Sequence, residues 1–532
     1  MTTVGEGLVK LLEARGVEIV FGIPGVHTIE LYRGLAASSI RHVTPRHEQS
    51  AGFMADGYAR ATGKPGVAFV ITGPGLTNAI TAMAQARADS VPMLVISGVN
   101  RRETLGKGLG YLHELPDQLG LMRAFCRMSE RIEEPAQLAP VLDRAFALFA
   151  TERPGPVHIE IPMDVMGMPF AAGGGSETPR GPHLPDDEAV RAGARLLDAA
   201  RQPVILIGGG ARGASDLVAG LCERLDAPVV ATTNARGIIH GHPLLVPASP
   251  SLNAVRALLA EADAVLAIGT EFGPTDYDMY AVGGFPALKG LVRIDIDADQ
   301  LTRHPAVHAI AADAKLAVKS LVQVLGRESK NREGGNAGAI RAERARSAAR
   351  EEIGPRYRAH VAALDVVRDA VPGAIVVGDS TQAAYAGNLF YDHDRPGGWF
   401  NAATGYGALG YGPPAAIGAA LGRPDAPVIC IAGDGGMQFT LAELRSAMDE
   451  KAGVIFVIWN NHGFQEIESA MTEAAVTPVG VRPSAPDFCA IASAYGMASE
   501  RIGSLGELGE AISRARARGG PALIEVEGDP LL

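Results

Sequence analysis

Cysteine is scarce: Cys126, Cys222, Cys430 and Cys489 are the only four in 532 residues, and none has metal-type spacing to another. That excludes a disulfide scaffold or a zinc knuckle and fits thiols buried in a reducing compartment. Long apolar runs are missing as well. The strongest, 454–459, is six residues long, far short of the ~18 needed to span a membrane, and reads as a buried strand. Met1-Thr-Thr-Val-Gly-Glu lacks the basic and apolar regions of an export signal, so the expected location is the cytoplasm. Positive charge is not in excess either. Forty-eight basic against 59 acidic residues give a net charge of −11. Nucleic-acid and anionic-membrane binding rest on basic surfaces, so neither partner is expected. One small phosphate ester held locally remains compatible with this charge.

What is abundant is glycine: 65 residues, about 12% against an average near 7%. Glycine lets a main chain approach a ligand closely. At roughly 150 residues per domain, the length corresponds to about three or four domains. Three segments share one grammar, short β-branched runs alternating with alanine-rich helical stretches, which is the pattern of a parallel sheet covered by helices. The fold class is therefore α/β, with three doubly wound parallel-sheet domains, at residues 1–168, 187–325 and 355–532. Strands are expected at 18–21, 66–71, 93–97 and 157–161; at 203–207, 228–231, 264–268 and 290–295; and at 374–377, 428–432, 454–459 and 522–526. Residues 169–186 read as a linker, and the charged stretch 327–353 as a connection or an exposed helix.

The chemistry begins at Ile431-Ala-Gly-Asp-Gly-Gly436. An apolar strand runs into a glycine turn and then a helical pattern, so the backbone N–H groups of Gly433, Gly435 and Gly436 form an anion cradle. Asp434 inside that cradle cannot hold a phosphate directly, since both are negative; a divalent cation between them resolves the conflict. A second apolar strand ends in Asn460-Asn461-His462-Gly463. One carboxylate, one amide oxygen, one backbone carbonyl, two diphosphate oxygens and a water complete a magnesium octahedron.

The pair of motifs resembles the magnesium and diphosphate signature of thiamine-diphosphate enzymes, with Asp434, Asn461 and the Gly463 carbonyl matching its metal positions. The N-terminal segment carries Phe21-Gly-Ile-Pro-Gly25, then Arg46-His-Glu-Gln-Ser-Ala-Gly-Phe-Met-Ala-Asp-Gly-Tyr-Ala-Arg-Ala-Thr-Gly63, then Thr72-Gly-Pro-Gly-Leu-Thr-Asn78. These are similar to the pyrimidine-binding domain of the acetolactate synthase and 2-oxo acid decarboxylase superfamily, and the resemblance covers essentially the whole chain. It implies that Gly25, Thr72 and Asn78 line the cofactor, and that Glu48 is the acid beside N1′ of the aminopyrimidine, where proton exchange leads to loss of the C2 proton. It makes Ser380, Thr381 and Gln382 donors to the diphosphate. Within Gly405-Tyr-Gly-Ala-Leu-Gly410 it makes the Gly407 carbonyl the acceptor for the 4′-amino group and Leu409 the wedge that bends the cofactor. It also implies a homodimer as the minimal active unit, commonly a homotetramer, with Glu48 and Asp434 of one site drawn from different chains.

The substrate-side residues depart from familiar patterns. Leu112-His-Glu stands where biosynthetic acetolactate synthases usually show Phe-Gln-Glu, and a histidine there can shuttle protons, which makes His113 a catalytic candidate. Ile467 falls where pyruvate decarboxylases place a catalytic glutamate. Gln465, Ile467 and Glu468, with Glu114, Asp117 and Glu466, are the substrate candidates, and the acids form either an acidic mouth for a guanidino-2-oxo acid or a solvated helix face. Gly208-Gly-Gly-Ala-Arg-Gly213 follows a strand in the central segment, but without further flavin-contact segments FAD is not favoured. The expected function is decarboxylation of a 2-oxo acid with release of an aldehyde. The alternatives are an acetolactate synthase-type carboligase and, from another class, a non-catalytic cofactor-binding or regulatory protein.

Overall fold

The computed structural model describes residues 2–171, 181–279, 283–328 and 336–528. Much of the expected linker, 172–180, and the start of the charged connection, 329–335, lie outside the described residues. Among the described residues, eighteen strands form three six-stranded, fully parallel sheets. The first holds β1 (Ile19–Gly22), β2 (Arg41–Val43), β3 (Gly66–Val70), β4 (Met93–Val99), β5 (Met128–Arg131) and β6 (Pro156–Pro162). The second holds β7 (Pro203–Ile207), β8 (Val229–Ala231), β9 (Leu245–Val246), β10 (Ala264–Ile268), β11 (Leu291–Asp295) and β12 (His308–Ala311). The third holds β13 (Ile375–Gly378), β14 (Trp399–Asn401), β15 (Val428–Gly433), β16 (Val454–Asn460), β17 (Ala498–Ile502) and β18 (Ala522–Glu527).

The first and third sheets have the same spatial order, β2-β1-β3-β4-β6-β5 and β14-β13-β15-β16-β18-β17. The central sheet runs β9-β8-β7-β10-β11-β12, the dinucleotide-fold order. In each, strand residues alternate between two apolar cores. Val67 and Phe69 of β3 enter one, Ala68 and Val70 the other. Strands buried on both faces need continuous apolar runs, which is why they were legible in the sequence.

One face of the first sheet and one face of the third share a single core. Two helices make the seam, Glu48–Thr62 and Gly412–Gly422. A Cβ on Gly57 would collide with the Ala415 carbonyl, and one on Gly418 with the Met54 carbonyl, so backbone meets backbone where only glycine fits. The stretch read as a connection or exposed helix is the helix Ala337–Glu352. It is not simply exposed: Ala342, Ala345 and Ala349 are buried in the core that also takes Val255 and Leu258 of the helix Asn253–Glu261.

Candidate active site

In a doubly wound sheet, ligands bind beyond the carboxyl ends of the strands, where the strand order reverses. For the first sheet that point lies between β1 and β3, and for the third between β13 and β15. The segments that follow these four strands carry Gly25; Thr72; Ser380, Thr381 and Gln382; and Gly433 to Gly436. Topology and motif thus select the same loops independently.

At the N-terminal half-site, Glu48 opens the helix Glu48–Thr62, behind a His47 cap whose Nδ1 accepts from Gln49 N. Asn78 Nδ2 donates to Glu48 Oε2 at 3.0 Å. A Cβ on Gly75 would press on Ile71 at 2.6 Å and lie 3.7 Å from Glu48 Oε1, so glycine keeps that flank open. Ile71 also touches the Cβ position of Gly25, so Gly25 and Gly75 flank one side chain. Thr72 is buried, and its Oγ1 donates to Gln118 Oε1 at 2.7 Å. Gln118 Nε2 in turn donates to the buried Glu160 at 2.9 Å.

His113 lies beside this group with a left-handed backbone, φ +62°, an uncommon conformation for a residue with a Cβ. Its ring Nδ1 is 3.3 Å from the Thr72 carbonyl, and its ring centroid is 5.3 Å from that of His27. His27 is buried, with Nε2 at 2.9 Å from Asn100 Oδ1, and burial lowers its pKa below the usual imidazole range.

At the C-terminal half-site, Asp434 is only 1% exposed at the end of β15, and its Oδ2 has no hydrogen-bond partner. Burial pushes its carboxyl above the ordinary range, against the backbone N–H groups of Gly435, Asn461 and Gly463. Asn461 Nδ2 donates to Gln465 Oε1 at 3.0 Å. In that orientation its Oδ1 stands 3.1 Å from Asp434 Oδ1 and 2.9 Å from the Gly463 carbonyl oxygen. In that orientation three oxygens meet. Turning the amide over would put an N–H there; a cation would satisfy the same three oxygens and leave Nδ2 on Gln465. Ser380 Oγ, on the neighbouring loop, is likewise buried without a partner. Thr381 Oγ1 faces Gly433, 3.2 Å from its Cβ position, and Gly435 packs on Phe464. Gln382 is buried, with Nε2 on Glu466 Oε2 at 3.1 Å.

Gly407 and Leu409 sit on the loop between β14 and the helix Gly412–Gly422, Gly407 exposed with φ +79° and Leu409 half-buried. Among the described residues no hydrogen bond joins the Glu48–Asn78 pair to the Asp434–Asn461–Gly463 group.

The candidate acids of the substrate side each have a partner of their own. Glu114 accepts from the backbone N–H groups of Gly108, Gly110 and Tyr111 at 2.7 to 3.0 Å, which outweigh its desolvation and hold its carboxyl below the ordinary range. Glu468 is bound by Arg482, whose hydrogen bonds likewise lower its pKa. Asp117 caps the helix Gln118–Arg123. Glu466 instead turns toward the site, its oxygens taken by Tyr357 OH at 2.7 Å and by Gln382. Ile467 is 52% exposed.

Asp379 was not singled out in the sequence, although Gly378-Asp379 repeats the strand–Gly–Asp pattern of Gly433-Asp434. It is fully buried, its pKa pushed up to about 6 by desolvation, and it accepts from Ser380 N (2.7 Å), Gly412 N (2.9 Å) and Gly410 N (3.2 Å). Gln118, His27 and Asn100 were also missed; each sits on its own stretch of chain, and no local pattern joins them.

The central glycines pack on each other's loops. Gly208 and Gly210, after β7, lie against Gly269, after β10, at that sheet's own reversal point.

Comparison with known proteins gives three family-model matches in chain order. The N-terminal TPP binding domain of thiamine pyrophosphate enzymes matches residues 2–121, the central domain 190–321, and the C-terminal TPP binding domain 379–526. The probable 2-ketoarginine decarboxylase AruI of Pseudomonas aeruginosa is 43% identical, over 98% of this chain and 94% of that protein. The acetolactate synthase isozyme 1 large subunit of Escherichia coli is 31% identical, over 99% and 94%. A solved Mycobacterium smegmatis structure, assigned to the thiamin diphosphate-dependent enzymes, superposes with a TM-score of 0.84 over all of both chains at 24% identity, which speaks for the fold alone.

Proposed function

The chain belongs to the thiamine pyrophosphate enzyme family, and from that premise we propose that it decarboxylates a guanidino-bearing 2-oxo acid and releases the corresponding aldehyde. The observation that carries the reading is the buried Asp434, whose Oδ2 has no partner, grouped with the Asn461 side-chain amide and the Gly463 carbonyl, while Ser380 Oγ on the neighbouring loop is also buried without a partner. Such a set fits a hard divalent cation with a phosphate next to it. Asp434, Asn461 and the Gly463 carbonyl would hold Mg²⁺. Ser380, Thr381, Gln382 and the N–H groups of Gly433, Gly435 and Gly436 would hold the diphosphate. Thiamine diphosphate, when bound, supplies the thiazolium that takes up the electron pair left by departing carbon dioxide.

The chain's own residues do the rest. Glu48, oriented by Asn78, holds a proton at N1′ of the aminopyrimidine. Gly25 and Thr72 line the cofactor on that side. Gly407 would offer its carbonyl to the 4′-amino group of the cofactor, and Leu409 would be the apolar side chain against its rings. His113, fixed against Thr72, delivers the proton that frees the aldehyde.

The name of the Pseudomonas relative supports a guanidino substrate. Within this site Glu466 is the acid suited to a guanidinium: each of its oxygens accepts one donor and has a lone pair to spare. Gln465 and Ile467 form the neighbouring wall. The second reading, carboligation to an acetolactate-type product, is favoured by one observation, an aliphatic residue at 467.

A homodimer is the proposed minimal unit, and a homotetramer the proposed assembly, because apolar side chains stand exposed beside both half-sites. Val26 is 56% and Leu112 64% exposed near Gly25 and His113; Tyr406 and Phe439 are exposed near Gly407. No described helix is long and apolar enough to cross a membrane, and the cytoplasm is the proposed location. FAD is not proposed, since Gly208 and Gly210 are explained by loop packing.

The test supplies thiamine diphosphate, magnesium and a panel of 2-oxo acids, and follows carbon dioxide and the organic product together. One aldehyde per carbon dioxide from the guanidino acid is expected. Preferential turnover of pyruvate to a ligated product would replace the decarboxylase reading with the second one.

A further inference from the structure

We infer that Asp56, Gln85 and Asp89 of the N-terminal domain are positioning residues for the loop 404–411 of the same chain, and so set Gly407 and Leu409. The inference rests on the reading that this loop lines the thiamine diphosphate site. Three of its eight residues are held from the N-terminal domain. Thr404 Oγ1 donates to Asp89 Oδ2 at 2.8 Å, closer than its 3.1 Å approach to the Asn401 carbonyl. Ala408 N donates to Gln85 Oε1 at 3.3 Å, and Tyr411 OH to Asp56 Oδ1 at 2.5 Å. These anchors bracket Gly407 and Leu409.

The acceptors are themselves tied together. Arg60 donates through Nε to Asp56 Oδ1 at 2.7 Å and through Nη2 to Asp89 Oδ2 at 2.6 Å; Gln85 Nε2 donates to Asp89 Oδ2 at 2.8 Å. The side chains of Arg60, Asp56 and Asp89 are 2% exposed or less. The Arg60 guanidinium also lies over the rings of Phe400 (5.4 Å) and Tyr411 (6.0 Å), and reaches Asn234 of the central domain at 3.4 Å. All three domains therefore meet at one buried cation.

A loop with glycines at 405, 407 and 410 has a large backbone entropy to lose, so a single geometry requires anchors on both sides. Asp379 supplies one side through Gly410 N and Gly412 N. The charge-assisted cluster supplies the other, where low dielectric makes such bonds strong. Asp56 and Arg60 also lie on the helix that Glu48 opens, so one rigid element fixes both the acid and the loop.

The test uses Thr404→Val, which keeps shape but removes the O–H donor, Gln85→Ala, which removes the acceptor for Ala408, and Thr404→Ser as the conservative control. Amide hydrogen exchange over 404–411, measured on protein without cofactor, is expected to quicken about two- to tenfold in the first two variants and to stay at the parent rate in the third. Unchanged exchange in both would overturn the clamp. With thiamine diphosphate and Mg²⁺ bound, exchange of the cofactor's C2 proton is expected to slow at least about tenfold in Thr404→Val, with a much smaller change in calorimetric affinity and recovery in Thr404→Ser. Quickened amide exchange with an unaltered C2 rate would overturn the positioning role. A parent protein that binds no thiamine diphosphate would defeat the proposed function instead, and the amide exchange would then decide the clamp by itself.

Discussion

Asn78 Nδ2 occupies one oxygen of Glu48, which leaves Oε1 on the flank kept open by Gly75. Glu48→Gln keeps the shape and removes the exchangeable carboxyl proton. It is expected to bind cofactor and magnesium nearly as well as the parent while C2 proton exchange falls at least about a hundredfold; normal turnover in that variant would take Glu48 out of its role. Asp379 yields a prediction of a different kind. Its ordinary pKa of 3.8 rises to about 6 on burial, so between these values the folded protein binds a proton that the unfolded chain does not. Its contribution to stability therefore falls as pH rises from about 4 to about 6 and is level above that, a change of at most about 3 kcal/mol. Urea unfolding midpoints of parent and Asp379→Asn, compared across this range, should shift in favour of the asparagine variant as pH rises; a constant difference would contradict the burial argument. Asp434 and Asn461 stood out in the sequence because an acid inside an anion cradle suggests a cation between it and the anion; the structure places both beside the Gly463 carbonyl. For Glu114 and Glu468 the sequence gives a charge but not its partner, and both partners here are supplied by the folding of loops.

Among secondary-structure elements, every strand expected from the sequence is present, and the six that were missed, β2, β5, β9, β12, β14 and β17, are the six sheet edges. An edge strand has one neighbour; β9 and β14 are buried but only two and three residues long, too short for a legible run, and β17, partly exposed, reads Ala-Ser-Glu-Arg-Ile. Of the two readings of the charged stretch, the helix is the one present, Ala337–Glu352; its buried stripe was not legible because it is alanine, which hydropathy hardly registers among so many charges. The helix pair at the domain seam is testable through Gly418→Ala. Helix propensity alone would favour alanine by about 1 kcal/mol, whereas the collision with the Met54 carbonyl should cost about 1–3 kcal/mol. A lowered melting temperature is expected; a raised one would mean that the two backbones do not touch as described.

For the whole molecule, the proposed shared site requires a second chain. Sedimentation of the purified protein is expected to give a dimer or larger species, with activity per chain falling as dilution produces monomers; a fully active monomer would refute the shared site. The sequence by itself determined what is contiguous: the strand–turn–helix cradles, the acid and amide suited to a metal, and the three parallel sheets. Local physics governs these, since a glycine turn after an apolar strand exposes its N–H groups wherever the strand lies. Only the tertiary structure decided which loops meet, which acids are already paired, and how Arg60 joins three domains. Those outcomes depend on strand order and on contacts such as Asp56 with Tyr411, 355 positions apart, and no pattern along the chain encodes a distance closed only when the sheets pack.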